Sequence, residues 1–359
     1  MSTTQPFKGE CVPCDGPCPK TCQGVNIVHS GNIESFRDCT VIEGDIAILD
    51  HSFAGFQQIY DNFTFGTRYK PMSPSQLEVF STLKEITGFI NIQASHPEFR
   101  NLSCFRNLET IGGRQMTEYF SALYIVKTSL QSLNMRSLKI IHAGTVAILE
   151  NKELCFADTI NWDKMKKSQA NLILLQNNKN PEQCQEMGLV CNPQCSDEGC
   201  WGLGANECLS CAHFQLNDTC IESCDPELGI YQLDNKTCKH CHHECDRMCT
   251  GPGPGNCTRC KHVRDGPYCV ASCPTSKFND SGECRSCHDN CVDGCTGPEN
   301  NIGPHGCRSC EKAIINGDVE VVSSPPSFDF VLFTYSIQHG CQNQEWIAYT
   351  HFLNSIEVQ

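Results

Sequence analysis

The placement of cysteine constrains this chain more than any other feature. Of its 30 cysteines, 21 fall within the 120 residues from Cys191 to Cys310. A stretch that dense buries too little apolar surface to fold on a core alone, so cross-links must take over that role, as in disulfide-stapled extracellular modules. Each short-loop disulfide typically contributes ~2–4 kcal/mol, mainly by restricting the unfolded chain. Between Cys39 and Cys184 only Cys104 and Cys155 intervene, and with 39% apolar residues overall this part can build a true core. A length of 359 residues fits two or three domains.

Six Asn-x-Ser/Thr acceptors, at Asn62, Asn101, Asn217, Asn235, Asn256 and Asn279, point the same way. Each is weak alone, but six in a cysteine-rich chain indicate exposure to the secretory pathway. The formal charge of −14 argues against a nucleic-acid partner, which needs Lys and Arg to neutralise phosphates. It suits a basic protein ligand, although acidic surfaces commonly serve solubility alone. Met1–Gln5 lacks the basic and apolar regions of a signal peptide, and no run of about 18 apolar residues could cross a membrane. The nearest, Phe328–Ile337, is short and contains Asp329. The expectation is a fragment, a partial gene product or an unusual isoform of an extracellular protein.

Residues 1–22 read as the tail of a cysteine-rich module, and residues 23–186 as something different. Short β-branched runs recur at Ile46–Leu49, Phe89–Ile92, Leu123–Val126, Val146–Leu149 and Leu172–Leu175, their starts separated by 43, 34, 23 and 26 residues. Several follow a leucine lead-in and a glycine, as in Leu83–Gly88 and Leu138–Gly144. Strands that cannot bury an inner face alone, at roughly solenoid spacing, predict stacked parallel rungs. A sandwich of short strands is the alternative, disfavoured by the uneven spacing. One helix is signalled, with Ser73 as N-cap, Pro74 at its first position and Gln76 completing a capping box.

From residue 187 to 310 the chain repeats itself. Cys191-x3-Cys195-x4-Cys200-Trp-Gly-x5-Cys208-x2-Cys211 is echoed from Cys241 to Cys260 and again from Cys287 to Cys310, at a period near 46–50 residues. This is a modular rod. A natural reading pairs first with third and second with fourth cysteine in each unit: Cys191–Cys200 and Cys195–Cys208, Cys241–Cys249 and Cys245–Cys257, Cys287–Cys295 and Cys291–Cys307. Single-bridge loops follow at Cys211–Cys220, Cys224–Cys238, Cys260–Cys269 and Cys273–Cys284. Residues 311–359 carry one lone cysteine, Cys341, and read as a divergent, poorly ordered tail.

The motifs now collected resemble those of the epidermal growth factor receptor family. The similarity lies in Cys39–Leu49, Leu83–Phe89, Asn107–Ile111, Arg136–Ile141 and Cys155–Trp162, and in Glu198-Gly-Cys-Trp-Gly202 and Asp265-Gly-Pro-Tyr-Cys269 of the rod. It covers residues 11 to about 320, with the invertebrate form of the receptor suggested by the insertion around Tyr60–Tyr69. The resemblance implies a mainly β protein: a right-handed parallel β-helix (the receptor L domain, leucine-rich-repeat-like) followed by a disulfide-rich, furin-like cysteine-rich rod. It also implies the bridges Cys14–Cys18, Cys22–Cys39 and Cys155–Cys184, leaving Cys11, Cys104, Cys310 and Cys341 over. The parent of such a chain is a receptor tyrosine kinase using ATP and magnesium. Here no glycine-rich nucleotide loop, His-Arg-Asp or Asp-Phe-Gly occurs, so no enzyme and no cofactor are expected of this chain.

Implied in the same way is the ligand, an EGF-like growth factor bound on one face of the L domain, with receptor homodimerisation in the full-length parent at the plasma membrane. Asp61 and Phe63 match a family carboxylate and aromatic on that face, where a carboxylate would engage a ligand arginine. Asn62 between them is itself a glycan acceptor. Gln93 matches a ligand-face glutamine, whereas Glu118 replaces a family histidine. Val263, Asp265 and Tyr268 fall on a rod loop that in the family touches the dimerisation arm. The bland reading of each is a solvated loop or rung residue. Cys238, Cys241, His242, His243 and Cys245 could ligate zinc in a reducing compartment, but their family-like disulfide order argues against it. A nucleophilic cysteine is disfavoured because bridged sulfur does not attack. The alternative function is a soluble decoy or structural extracellular module.

Overall fold

In a computed structural model of the chain, residues 18–60, 64–300 and 302–309 are described in full, with backbone alone for six short strands nearer the termini. By compactness the chain divides into Met1–Ser223 and Cys224–Gln359.

The first unit is a coil of parallel strands. Its main sheet is built from β1 (Thr21–Val25), β2 (Val41–Leu49), β3 (Ile90–Gln93), β4 (Ser121–Val126), β5 (Thr145–Leu149) and β6 (Ile173–Gln176). All pair in parallel, in chain order. The alternation of the sequence runs becomes two inward columns. One is Ile46, Ile90, Leu123, Val146 and Ile173; the other is Ile48, Ile92, Ile125, Ile148 and Leu175. A third column lies on a second, shorter sheet, where Ile42 of β2 faces Ile86, Ile111 and Ile141. These isoleucines are closed to solvent except at the last rung. At ~1.5–3 kcal/mol per buried aliphatic side chain, the columns are the main stabilising term.

The leucine lead-ins and glycines mark the sides of this coil. Thr40, Lys84 and Glu109 each accept, on their carbonyls, the amide of the equivalent residue one rung on, at 2.8–3.0 Å. Glycine then turns the corner between sheets. At Gly113 φ is +66°, and an added Cβ would fall on the carbonyl oxygen of Ala143, so no side chain fits there. The third side carries 3-10 helices whose rings pack in series: Phe36 lies tilted against Phe80 at 5.1 Å, and Phe80 stacks on Phe105 at 5.3 Å.

The expected helix forms at Pro74–Thr82 with its Ser73 cap. Ser73 Oγ accepts the Ser75 amide, and Gln76 Oε1 accepts the Ser73 amide at 3.1 Å. It is a 3-10 helix, however, and its geometry explains the sequence. Leu77 and Phe80, three residues apart, both reach the core, as three residues per turn requires.

At the far end of the later rungs the chain leaves β4, β5 and β6 through a left-handed residue: Lys127, Glu150 and Asn177. Asn151, fully buried, ties these exits together. Its Oδ1 accepts from the amide (3.0 Å) and hydroxyl (2.8 Å) of Thr128, and its Nδ2 donates to Ile125 O and Asn178 Oδ1, both at 3.0 Å.

The first cysteine-rich unit belongs to the coil's compact body. Trp201, 1% exposed, joins the aliphatic core and meets Trp162 edge-on at 5.5 Å. Its carbonyl accepts the Asn134 amide at 3.2 Å. Compactness therefore divides the chain after Ser223, whereas the cysteine pattern changes near residue 187. Beside this junction Glu207 is partly buried, with Oε2 lacking a hydrogen-bond partner. Burial raises its carboxyl above the ordinary range, against the opposing pull of the Asn134 side chain and Arg136.

In the fully described regions the bridges are Cys22–Cys39, Cys155–Cys184, Cys191–Cys200, Cys195–Cys208 and Cys211–Cys220 in the first unit. The second holds Cys224–Cys238, Cys241–Cys249, Cys245–Cys257, Cys260–Cys269, Cys273–Cys284, Cys287–Cys295 and Cys291–Cys307. Short hairpins link them, such as Val263–Asp265 with Tyr268–Val270. The Cys14–Cys18 expectation cannot be placed, since Cys14 lies outside the described residues, as do Cys310 and the side chains of Cys11 and Cys341. The tail expected at 311–359 lies outside the fully described residues too.

Two outcomes are expected. Asn151→Ala strands the Thr128 amide and the Ile125 carbonyl and should cost ~2–4 kcal/mol, read as a lowered denaturation midpoint at unchanged slope. Glu207→Gln mimics the protonated acid. Because its folded pKa is raised, the contribution of this carboxyl to stability is fully present at low pH and is lost as pH rises through that value. The variant should therefore melt higher than the parent at pH 7.5, with the gap closing on acidification.

Candidate functional site

Every inward column of the main sheet has an outward counterpart. One row runs Ala47, Asn91, Tyr124, Ala147, Leu174; the next pairs Leu49 with Gln93, and Val126 with Leu149 and Gln176. On a coil exposed on this side, polar residues would be ordinary. Instead Tyr124, Val126 and Ala147 are buried and, with the half-buried Leu149 and Leu174, make a continuous apolar cluster. Polar groups border it at the early rungs, where Gln93 Nε2 donates to Asn91 Oδ1 at 3.0 Å.

The turn that leads into β4 folds over this cluster. Tyr124 donates from its hydroxyl to Glu118 Oε2 at 2.9 Å, and Tyr119 stacks on the Tyr124 ring at 6.2 Å. Burial, then the Glu118 carboxylate, pushes the Tyr124 phenol up to about 12, so it stays a proton donor at any physiological pH. Tyr119 and Phe120 are consecutive left-handed residues, each with φ of +54°. Two bulky residues in that region hold on the order of 1–3 kcal/mol of strain each. What the strain achieves is presentation: Phe120 is 80% exposed and Tyr119 60%.

At the opposite strand ends, past Leu49, a short helix (Asp50–Ala54) leads to a two-stranded hairpin, Phe56–Ile59 with Phe65–Tyr69. Asp50 Oδ1 accepts the Ser95 amide at 2.8 Å, tying the helix to the chain just past Gln93. The hairpin base is an aromatic cluster: Tyr69 lies 3.8 Å from the His29 ring and 5.0 Å from Phe56. Burial lowers the His29 pKa, favouring the neutral ring whose Nδ1 accepts the Gly31 amide at 3.1 Å. Ile59, Tyr60 and Phe65 are exposed beside the tip.

Of the sequence candidates, Gln93 lies on the outward face. Asp61, Asn62 and Phe63 fall outside the described residues, between the two hairpin strands. Sequence reasoning passed over Tyr119 and Phe120 as contacts, because they lie just ahead of the run Leu123–Val126 and no local pattern marks them. It noticed Glu118 only as a replaced histidine. In the second unit Val263 is buried, Asp265 is ion-paired with Lys277, and Tyr268 is 55% exposed.

Cys238, Cys241 and Cys245 each stand in a disulfide, so none is a thiolate ligand there. Cys104 is a buried free thiol, pushed up to about 12 by burial and by Glu78, and is therefore not a nucleophile at neutral pH.

The receptor L domain family matches residues 38–166, and growth factor receptor domain IV matches 190–304. Over 307 residues, 86% of this chain, it is 68% identical to the epidermal growth factor receptor of Apis mellifera, and over 311 it is 53% identical to that of Drosophila melanogaster. The chain belongs to the epidermal growth factor receptor family. Its likeness to the receptor tyrosine-protein kinase erbB-4 of Homo sapiens is 38% over 248 residues. The chain spans about a quarter of the two insect receptors, 24% and 22% of their lengths, and 18% of the human one. What it matches is receptor extracellular sequence, comprising an L domain and a domain IV.

Replacing Phe120 by glycine should relieve the left-handed strain while removing a side chain that buries little. Stability is expected to hold or rise by up to ~1 kcal/mol. A loss larger than that in chemical denaturation would mean that Phe120 packs rather than presents.

Proposed function

We propose that the outward face of the main sheet binds an EGF-like growth factor. The observation that carries this reading is the aromatic pair Tyr119–Phe120, held to solvent on strained backbone at the edge of an outward apolar cluster. Aromatic side chains beside an apolar patch are characteristic binding anchors. Backbone strain collects where function requires a fixed geometry. Glu118 borders the anchor on one side, and Gln93 continues the face at the early rungs. The Glu118 carboxylate favours a ligand carrying lysine or arginine at that margin, consistent with the acidic balance of the chain.

The names of the relatives extend the reading to a longer protein. In such a parent the chain forms part of the extracellular region, at the outer face of the plasma membrane. Ligand occupancy there couples to receptor dimerisation and to a tyrosine kinase elsewhere in the polypeptide.

Binding of an EGF-like growth factor to the oxidised, secreted chain, followed by surface plasmon resonance, tests this directly. Saturable binding is expected. Phe120→Gly should weaken it about tenfold or more, as loss of an anchor does, and Gln93→Ala and Asp61→Ala severalfold. Equal affinity in all three variants, or no binding from a sample with intact bridges, would remove the growth-factor reading and leave a structural module.

A further inference from the structure

The chain carries a formal charge of −14, yet one module of the second unit has the opposite sign. Residues 235–264 hold six Lys and Arg and four His against two carboxylates, Glu244 and Asp246. Those two offset little of the surface charge: Glu244 is 9% exposed, and Asp246 is engaged by Arg259 at 3.5 Å. The flanking acids are engaged as well. Asp234 Oδ1 accepts the Lys236 amide at 2.8 Å, and Asp265 pairs with Lys277. Lys239, Arg247 and Lys261 are exposed and make no ion pair among the described residues.

The backbone gathers these cations. Asp246 donates its amide to the Arg259 carbonyl at 2.8 Å, and Lys261 donates to that of Glu244 at 2.9 Å, so the two segments run antiparallel with Cys245 opposite Cys260. Both are half-cystines, bridged to Cys257 and Cys269, and turn into the module. Alternation then sends Arg259 and Lys261 out of the other side together. Lys239 stands opposite Tyr231 in a hairpin, and the chain continues through His240, His242 and His243 to Glu244, beside Lys261. The rings of His242 and His243 pack at 4.1 Å. Arg247 has its backbone against Gly229, at the start of the same hairpin. Four bridges, from Cys224–Cys238 to Cys260–Cys269, lock these segments, so the cations are held in place before any partner arrives.

We propose that this module is a docking strip for a sulfated glycosaminoglycan. An extended chain of sulfates and carboxylates meets Lys and Arg through charge-assisted hydrogen bonds, and each contact releases a condensed counterion. Screening makes the local sign decisive. At physiological ionic strength the Debye length is about 8 Å, so carboxylates farther away than that do not cancel the strip. A membrane suits it less well, because anionic lipids concentrate in the cytoplasmic leaflet, whereas a disulfide-dense chain belongs outside the cell. The inference does not rest on growth-factor binding: the strip lies in the second unit and the outward sheet face in the first.

The test uses the full chain, secreted with its bridges verified by non-reducing mass spectrometry, and immobilised heparin or heparan sulfate as the probe. Binding at physiological salt is expected, with affinity falling about a hundredfold between about 50 and 200 mM salt, as ~4 cation contacts imply. Lys239→Ser, Arg247→Ser, Arg259→Ser and Lys261→Ser together should weaken binding about tenfold or more and flatten the salt dependence by about one power of salt per lost cation. Lys239→Arg with Lys261→Arg, which keeps the charge, should bind as the parent does. Lys152→Ser with Lys167→Ser, on the coil, should change nothing. Growth-factor binding should be the same in all of them.

Failure of the bridged parent to bind heparin at physiological salt would overturn the proposal. So would unchanged affinity in the fourfold variant, or loss of binding in the Lys→Arg pair. Equal binding to hyaluronan, which carries carboxylates but no sulfate, would overturn the sulfated class. Preference for phosphatidylserine vesicles over heparin would overturn the glycan in favour of a membrane.

Discussion

No rung of the coil can cover its own isoleucines. A strand of four or five residues exposes one aliphatic edge to the rung before and another to the rung after, and only stacking removes both from water. This dependence sets the rest. It demands parallel register, so that Ile48 meets Ile92 and Ile125 meets Ile148 rather than the outward neighbours. It demands corners too tight for a side chain, as at Gly113, and a polar tie such as Asn151 to satisfy backbone groups where the chain leaves the sheet. It also leaves the last rungs in want of cover, and Trp201 of the first cysteine-rich unit enters the core there beside Trp162.

The outward face is a by-product of the same stacking. Because strand side chains alternate, stacking that aligns the core also aligns the opposite residues into flat rows. Rows of Tyr124, Ala147 and Leu174 beside Val126 and Leu149 are costly to leave open to water. The Glu118–Phe120 turn covers part of them, yet in doing so adopts a left-handed backbone and sends two aromatic rings outward. Stability and presentation pull in opposite directions at this turn, as they do at many binding sites.

The second unit follows another logic. Its hairpins are three or four residues long and its buried residues are largely half-cystines, with Tyr231 among them. Restricting the unfolded chain here does what apolar burial does in the coil. One sequence thereby joins two solutions to the same entropic problem.

Much of this was legible in the residues alone. Short β-branched runs located four rungs to within two residues and caught the second half of Val41–Leu49, and the cysteine spacings announced a repeating rod. Ser73, Pro74 and Gln76 announced a helix start, though not that Leu77 and Phe80 would draw it into a 3-10 winding. A capping pattern reports only how a helix begins, whereas its pitch is set by what the side chains must reach. The chain's kinship was likewise readable from short motifs such as Glu198–Gly202. What sequence could not decide was which strand face would be apolar on the outside, that Tyr119 and Phe120 ahead of the fourth rung would turn to solvent, or that Trp201 would be buried in the core of the coil. Each depends on residues many positions away being brought alongside, and local pattern carries no information about those contacts. Sequence determined the elements and their family; only the tertiary stacking decided which side chains became core and which became surface.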